Sequence, residues 1–234
     1  MDAGSSKEQI SIAIDGPAAS GKSTVALLLS RRFGISLVNS GSMYRAVTLM
    51  ALERGVSADD EVALQGIASD VAAAFRFEIC DGDTPRVFLR EREITGDIRS
   101  AEVGDMVSCV SESPVVREEM VRLQRRLAAG AGAVVEGRDI GATVLPDADV
   151  KVYLEASQSE RARRRFAELR DRGVTVAREQ VRCEIEKRDR IDSLRDVSPL
   201  RMAPDAILID TENKTISEVV DEIVGIMSDK QITC

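Results

Sequence analysis

The stretch Gly16-Pro17-Ala18-Ala19-Ser20-Gly21-Lys22-Ser23-Thr24 matches G-x-x-x-x-G-K-[ST] position for position and follows an apolar run at residues 10–14. Strand, glycine-rich turn and helix in that order suit a phosphate chain. Backbone N–H groups curl inward around it, Lys22 reaches the β- and γ-phosphates, and the Ser23 hydroxyl ligates Mg²⁺. Residues 24–33 read as the helix, whose positive N-terminal end faces the same phosphates. A glycine-rich turn between strand and helix can also be purely structural. Lys22 argues against that, because an ammonium placed there needs an anion, so the loop points to a nucleoside triphosphate.

The 234 residues suit one sizeable domain, or a core with an insert. With 32 basic and 40 acidic residues the net charge is −8, which offers no overall basic field for nucleic acid and no polybasic membrane anchor. No apolar run approaches a membrane span and residues 1–7 lack the layout of a signal peptide, so a cytoplasmic location is expected. Cys80, Cys109, Cys183 and Cys234 show no C-x-x-C spacing and read as free thiols. The chain has no histidine, which excludes an imidazole base and His-ligated metal.

Beyond the loop, residues 36–38 read as a short strand, Asn39-Ser40-Gly41-Ser42 as a turn, and residues 43–54 as a helix. Ser57 is a candidate N-cap for a helix reaching residue 74. Residues 75–94 alternate in short segments around Asp81-Gly82-Asp83 and predict a small antiparallel insert. Ser113-Pro114 starts a helix running to about residue 127. Residues 133–135, 150–154 and 206–209 are apolar strands; Ser157-x-x-Glu160 and Thr215-x-x-Glu218 match capping boxes. Gly173 breaks the helix begun at Ser157, and Thr175 restarts it. Five apolar strands separated by helices predict a parallel sheet covered on both faces, with ligands outside the carboxyl ends of its strands.

Those strand ends carry the other candidates. Ser40, Tyr44 and Arg45 follow the second strand, where Arg45 could fork onto a phosphate or lie on a helix surface. Glu136-Gly137-Arg138-Asp139 follows a buried strand, and its charges need partners, either each other or a ligand. Arg161, Arg164 and Arg165 share a helix face that, taken alone, reads better as a solvated basic face than as a ligand site. Arg188, Asp192 and Arg195 are spaced for one face, with internal salt bridging the plain alternative.

Taken together, these motifs resemble the bacterial cytidylate kinases, within the nucleoside monophosphate kinases of the P-loop proteins. The resemblance rests on residues 15–24, on Ser40-Gly-Ser-Met-Tyr-Arg45, Ile98-Arg99-Ser100, Glu136-Gly-Arg-Asp-Ile-Gly141, Arg188-Asp-Arg-Ile-Asp-Ser-Leu-Arg195 and Ser198-Pro-Leu200, and it covers about residues 10–226. It implies an α/β fold: a P-loop core with a five-stranded parallel sheet flanked by helices, a small antiparallel monophosphate-binding insert at 66–103 and a short lid. The core would comprise 8–65 and 104–227, the lid about 160–192, closing around residues 170–174. The implied reaction is phosphorylation of CMP and dCMP by ATP with Mg²⁺, giving CDP or dCDP and ADP. By the same resemblance, Ser40, Arg45, Arg138 and Arg195 would hold the acceptor phosphate beside Tyr44. Ser108, Arg117 and Asp139 would contact cytosine, and Arg188 and Asp192 the sugar. Arg161, with Arg164 or Arg165, would neutralise ATP phosphates. Lys22, Arg138, Arg164 and Arg195 would stabilise the transferring group. The family commonly carries Asp where this chain has Asn39, so that position brings no carboxylate to the metal's water shell.

Two rival readings share the loop. A kinase for UMP or a hydroxy acid would not need Ser108, Arg117 and Asp139 together. A nucleotide switch or binding protein is the other; against a GTPase, Asn213-Lys214 is followed by Thr215-Ile216 rather than completing N-K-x-D. A monomer acting on small molecules alone is expected.

Overall fold

The computed structural model describes residues 10–79, 85–130, 132–195, 197–230 and 232. In chain order they form β1 Ser11–Asp15, α1 Lys22–Phe33, β2 Ser36–Asn39, α2 Ser40–Glu53, α3 Glu61–Ala74, β3 Phe75–Glu78, β4 Arg86–Leu89, β5 Arg92–Glu93 and a 3₁₀ turn Asp97–Arg99. Next come α4 Ala101–Val110, α5 Pro114–Ala128, β6 Ala133–Glu136, a π-helical turn Ile140–Val144, β7 Val150–Glu155, α6 Gln158–Asp171, α7 Arg178–Leu194, β8 Ile207–Asp210 and α8 Ile216–Asp229. They fall into two compact units. The first takes the described residues of Met1–Leu37, Ala128–Leu194 and Ser198–Cys234, and the second those of Val38–Leu127 and Arg195–Val197.

The parallel sheet has the order β2–β6–β1–β7–β8, with β1 central between β6 and β7. Its inner strands are apolar on both faces: Ile12, Ala13, Ile14, Val134, Val135, Val152 and Leu154 are all buried. Burial of this kind contributes about 2 kcal/mol per large aliphatic side chain. Helices α1 and α8 pack against one another, and α6 pairs with α7. Helix α8 starts on the complete predicted capping box, Thr215 and Glu218 each reaching the other's backbone N–H. Only half of the Ser157 box forms. Ser157 Oγ accepts from Glu160 N, but the Glu160 carboxylate turns to Arg163 and Arg164, and Ser157 N–H goes to Glu212.

In the second unit α2 packs on α3 and α4 around Met43, Leu64, Ile67 and Ile98, and β3–β4–β5 forms the predicted antiparallel sheet. This unit contains the whole of the described 66–103 segment and is wider than it. The turn expected at Asp81-Gly82-Asp83 lies outside the described residues, as do Cys80 and Cys234.

Three local expectations are corrected. Residues 39–42 are not a free turn: α2 begins at Ser40, because Asn39 Oδ1 accepts from Ser42 N at 2.8 Å and caps it. Asp60 rather than Ser57 caps α3, accepting from Ala63 N at 3.0 Å. Helix α7 starts at Arg178, three residues later than expected. Gly173, at φ 76°, closes α6 with Gly173 N donating to Arg170 O and Val174 N to Leu169 O, and residues 174–177 are then needed to leave that turn.

Candidate active site

The first unit assembles the phosphate loop from the end of β1. Gly16 stands at φ 144°, where a Cβ would come 2.2 Å from the Leu154 carbonyl oxygen of β7, so only glycine lets the chain leave the sheet here. Gly21, at φ 96°, precedes α1 without a side-chain cap, and no acidic residue stands in the first turn of α1. The N–H groups that a helix start leaves unpaired therefore face an anion's position rather than a carboxylate. Lys22 is buried, its Nζ donating to Pro17 O at 2.6 Å and lying 3.4 Å from Ser20 Oγ. Burial above all, then the Arg138 charge, pushes the Lys22 pKa well down, while Glu136 pulls the other way. Burial raises the pKa of Glu136 in turn, against Lys22 and a hydrogen bond with the Ser23 side chain.

Arginines of α6 reach this loop, and Arg138 and Arg188 act on Lys22 through their charges. Arg161 donates through Nη1 to Ala18 O at 3.2 Å and through Nε to Ala156 O at 3.1 Å, and Asp189 lies 2.7 Å from its Nη2. Arg164 bonds Glu160 at 2.8 Å and grips Thr211 twice, at 3.0 and 2.6 Å, while the Thr211 hydroxyl lies 3.3 Å from Ser20 O. Arg165, on the same helix face, turns instead to Glu168 at 2.8 Å. Arg138 donates through Nε to Asp192 Oδ2 at 2.8 Å. Burial lowers the pKa of this guanidinium, but Asp192 and Glu136 outweigh burial and the net direction is up. Arg188 is pushed down to about 10 by burial and then by Arg138, so it stays charged at neutral pH. Its buried Nε lies 4.0 Å from Asp192 and has no hydrogen-bond partner among the described residues.

Arg138 and Asp139 sit on a short arch between β6 and the π-helical turn. One foot is Gly137 N–H on Ile14 O at 2.9 Å. The other is double: Ile140 N–H reaches Asp15 Oδ1 at 2.7 Å and Gly141 N–H reaches Asp15 Oδ2 at 2.8 Å. Asp139, at the crown, is only 5% exposed.

The second unit holds the remaining candidates. Ser40 opens α2 and is buried; Tyr44, one turn on, lies under the Arg117 guanidinium at 5.5 Å from its ring centre. Arg45 donates to Ile98 O at 3.0 Å, in the 3₁₀ turn. Arg117 also reaches Ser111 O at 3.4 Å, and Ser111 Oγ bonds Ser108 O at 2.8 Å, so Ser108 and Arg117 are tied through one turn between α4 and α5. Arg195 is buried directly after α7.

A family model described as "Cytidylate kinase" matches residues 12–229. A cytidylate kinase from Limosilactobacillus fermentum (strain NBRC 3956 / LMG 18251) is 48% identical over 217 residues, covering 92% of this chain and 94% of the relative. The chain belongs to the cytidylate kinase family. A cytidylate kinase from Geobacillus sp. (strain WCH70) is 46% identical over 224 residues, 96% of this chain and 99% of that one. Among solved structures, an uncharacterized protein from Eubacterium ventriosum ATCC 27560 shares the fold, with a TM-score of 0.51 and 14% identity over 94% of this chain and 99% of that one. In this member of the cytidylate kinase family, Asp15, Glu136, Asp189 and Thr211 stand at the loop or its arginines although sequence reasoning assigned them no role. The strand-end rule could have found Asp15 and Glu136, because both are acidic residues closing apolar strands. Asp189 and Thr211 carry no such signal.

Proposed function

We propose that this chain transfers the γ-phosphoryl group of ATP to CMP and dCMP, giving ADP and CDP or dCDP. The observation that carries the reading is the arch: a buried carboxylate, Asp139, and a part-buried guanidinium, Arg138, held beside a complete phosphate loop in a member of the cytidylate kinase family. An Asp139 carboxylate accepts from the exocyclic amine of cytosine, whereas uracil presents a carbonyl there and sets acceptor against acceptor.

The other assignments follow the chemistry of each group. From the first unit, Gly16 to Thr24 take the ATP phosphates with Arg161, Arg164 and Arg165. Arg188 Nε, a buried donor needing an acceptor, addresses the acceptor's sugar with Asp192. From the second unit, Ser40, Arg45 and Arg195, beside Tyr44, hold the acceptor phosphate with Arg138, and Ser108 and Arg117 donate to the ring. Lys22, Arg138, Arg164 and Arg195 stabilise charge as the acceptor phosphate oxygen bonds to the γ-phosphorus and the bond to the ADP oxygen breaks. That oxygen is already anionic, so no general base is required.

The residues also fit Mg²⁺. The Ser23 hydroxyl, hydrogen-bonded to the buried Glu136 carboxylate, would be its protein ligand, with Glu136 holding that hydroxyl and the metal's water. The ion would neutralise charge on the phosphates. The reading includes a cytoplasmic monomer acting on small molecules, without nucleic acid or membrane; among the described residues no helix is long and apolar enough to cross a membrane.

Coupled ADP release over CMP, dCMP, UMP, AMP and GMP tests the proposal. CMP and dCMP should stimulate release most. UMP as the best acceptor would move the assignment to a UMP kinase, and no stimulation by any monophosphate would leave a nucleotide-binding protein.

A further inference from the structure

Asp15 is 3% exposed and lies outside every substrate and metal assignment made above. Each of its carboxylate oxygens takes one backbone N–H, from Ile140 at 2.7 Å and Gly141 at 2.8 Å. These N–H groups open the π-helical turn Ile140–Val144, which no side chain of its own N-cap residue, Asp139, caps. A buried carboxylate on two amide dipoles is a strong, directional clamp. The preceding residue of β1 holds the other foot of the arch, Gly137 N–H on Ile14 O at 2.9 Å. Arg138 and Asp139 are therefore suspended between attachments made by two consecutive residues, and the next residue, Gly16, begins the phosphate loop.

We infer that Asp15 is a positioning residue for acceptor recognition, fixing the Arg138–Asp139 arch against the same strand end that carries the phosphate loop. The inference rests on the reading of Asp139 as the group that selects cytosine. An arch with one foot released lets Asp139 swing relative to the base, so selectivity is lost along with rate. ATP binding suffers far less, because the loop keeps Gly16, Lys22 and the helix start. A purely structural role would instead lower every substrate's efficiency by one common factor.

The asparagine variant decides between these. In Asp15→Asn one oxygen still accepts, while the new NH₂ meets an N–H. Turnover of CMP and UMP at pH 7.5, with KM for each acceptor and for ATP, is measured for the parent, Asp15→Asn and Asp139→Ala. The expected result for Asp15→Asn is a 10- to 100-fold fall in kcat/KM for CMP, a CMP/UMP ratio reduced about tenfold, and a KM for ATP within threefold of the parent. A parent-like ratio in Asp15→Asn while Asp139→Ala loses selectivity overturns the inference alone, as does an equal loss for CMP and UMP. A parent-like ratio in Asp139→Ala overturns the reading of Asp139 and the inference with it. Amide hydrogen exchange on the unaltered protein needs no folded variant. The Ile140 and Gly141 amides should be protected like those of β1, and free exchange at both overturns the clamp.

Discussion

Replacing Gly16 with alanine separates two physical reasons for a glycine, because Gly21 provides an internal control five residues away. At Gly16 a Cβ would stand 2.2 Å from Leu154 O and 3.1 Å from both the Leu154 carbonyl carbon and Ser20 Oγ. The nearest contact is roughly 1 Å too short, and it sets the backbone directly after β1 against the backbone of β7, strands paired up to Asp15 and Tyr153 that cannot yield singly. Overpacking of that kind costs about 1–3 kcal/mol, and a left-handed backbone on alanine adds about 1–2 kcal/mol. At Gly21, φ 96°, the nearest atom to a Cβ is Ile216 Cδ1 at 3.6 Å, an ordinary contact, so only the conformational cost applies. Gly16→Ala should thus lose about 2–5 kcal/mol, a fall in Tm of about 4–20 °C for a chain of this size, and Gly21→Ala about 1–2 kcal/mol. Calorimetry or thermal unfolding by circular dichroism measures both. Equal losses at the two positions would refute the claim that the Leu154 carbonyl, rather than backbone conformation, dictates glycine at the head of the loop.

Lys22→Met should lower kcat about 10³-fold because it removes the charge aimed at the phosphates, and near-normal turnover would sink the loop assignment. Asp15 gives a pH signature. Burial chiefly raises its pKa from 3.8 to about 6, so the folded chain binds more protons than the unfolded chain between those values and stability falls as pH rises through them. Relative to Asp15→Asn, the parent should lose about 2 kcal/mol between pH 4 and 7 by urea unfolding; a constant difference would remove Asp15 as the source. Asp60→Ala should cost about 1 kcal/mol through loss of the α3 cap, whereas Ser57→Ala should change stability by less than about 0.5 kcal/mol; the reverse order in urea midpoints would restore Ser57 as the cap.

The parts of the fold that sequence made legible are those specified within a few residues. The strand, loop and helix around Lys22 follow from consecutive residues, and Thr215 caps α8 with a partner three positions away. The Ser157 box has the same local pattern and forms only by half, because Glu160 is claimed by Arg163 and Arg164, which hold its carboxyl down to about 2, and Ser157 N–H is claimed by Glu212. Local grammar fails where a distant group offers a stronger bond. Among the site residues, Arg161 and Arg164 read, on spacing alone, better as a solvated face. Their attachment to the loop depends on Asp189 and Thr211, from α7 and the end of β8, which helical spacing cannot supply.

Asp15 and Glu136 show the same limit at the centre of the sheet. Each is a carboxylate ending an apolar strand, and nothing near either one in sequence distinguishes a solvated strand end from a buried clamp. What decides is that β6 lies directly beside β1, in a register that pairs Ile14 with Glu136. That register brings Gly137 N–H onto Ile14 O, and the arch then turns the next two free N–H groups back onto Asp15. Had β7 stood in β6's place, the same two acidic residues would face different neighbours and Arg138–Asp139 would have no second foot. Strand order, a property of the whole chain, thus converts two ordinary strand-end carboxylates into the support of the Arg138–Asp139 arch and of the Ser23 hydroxyl.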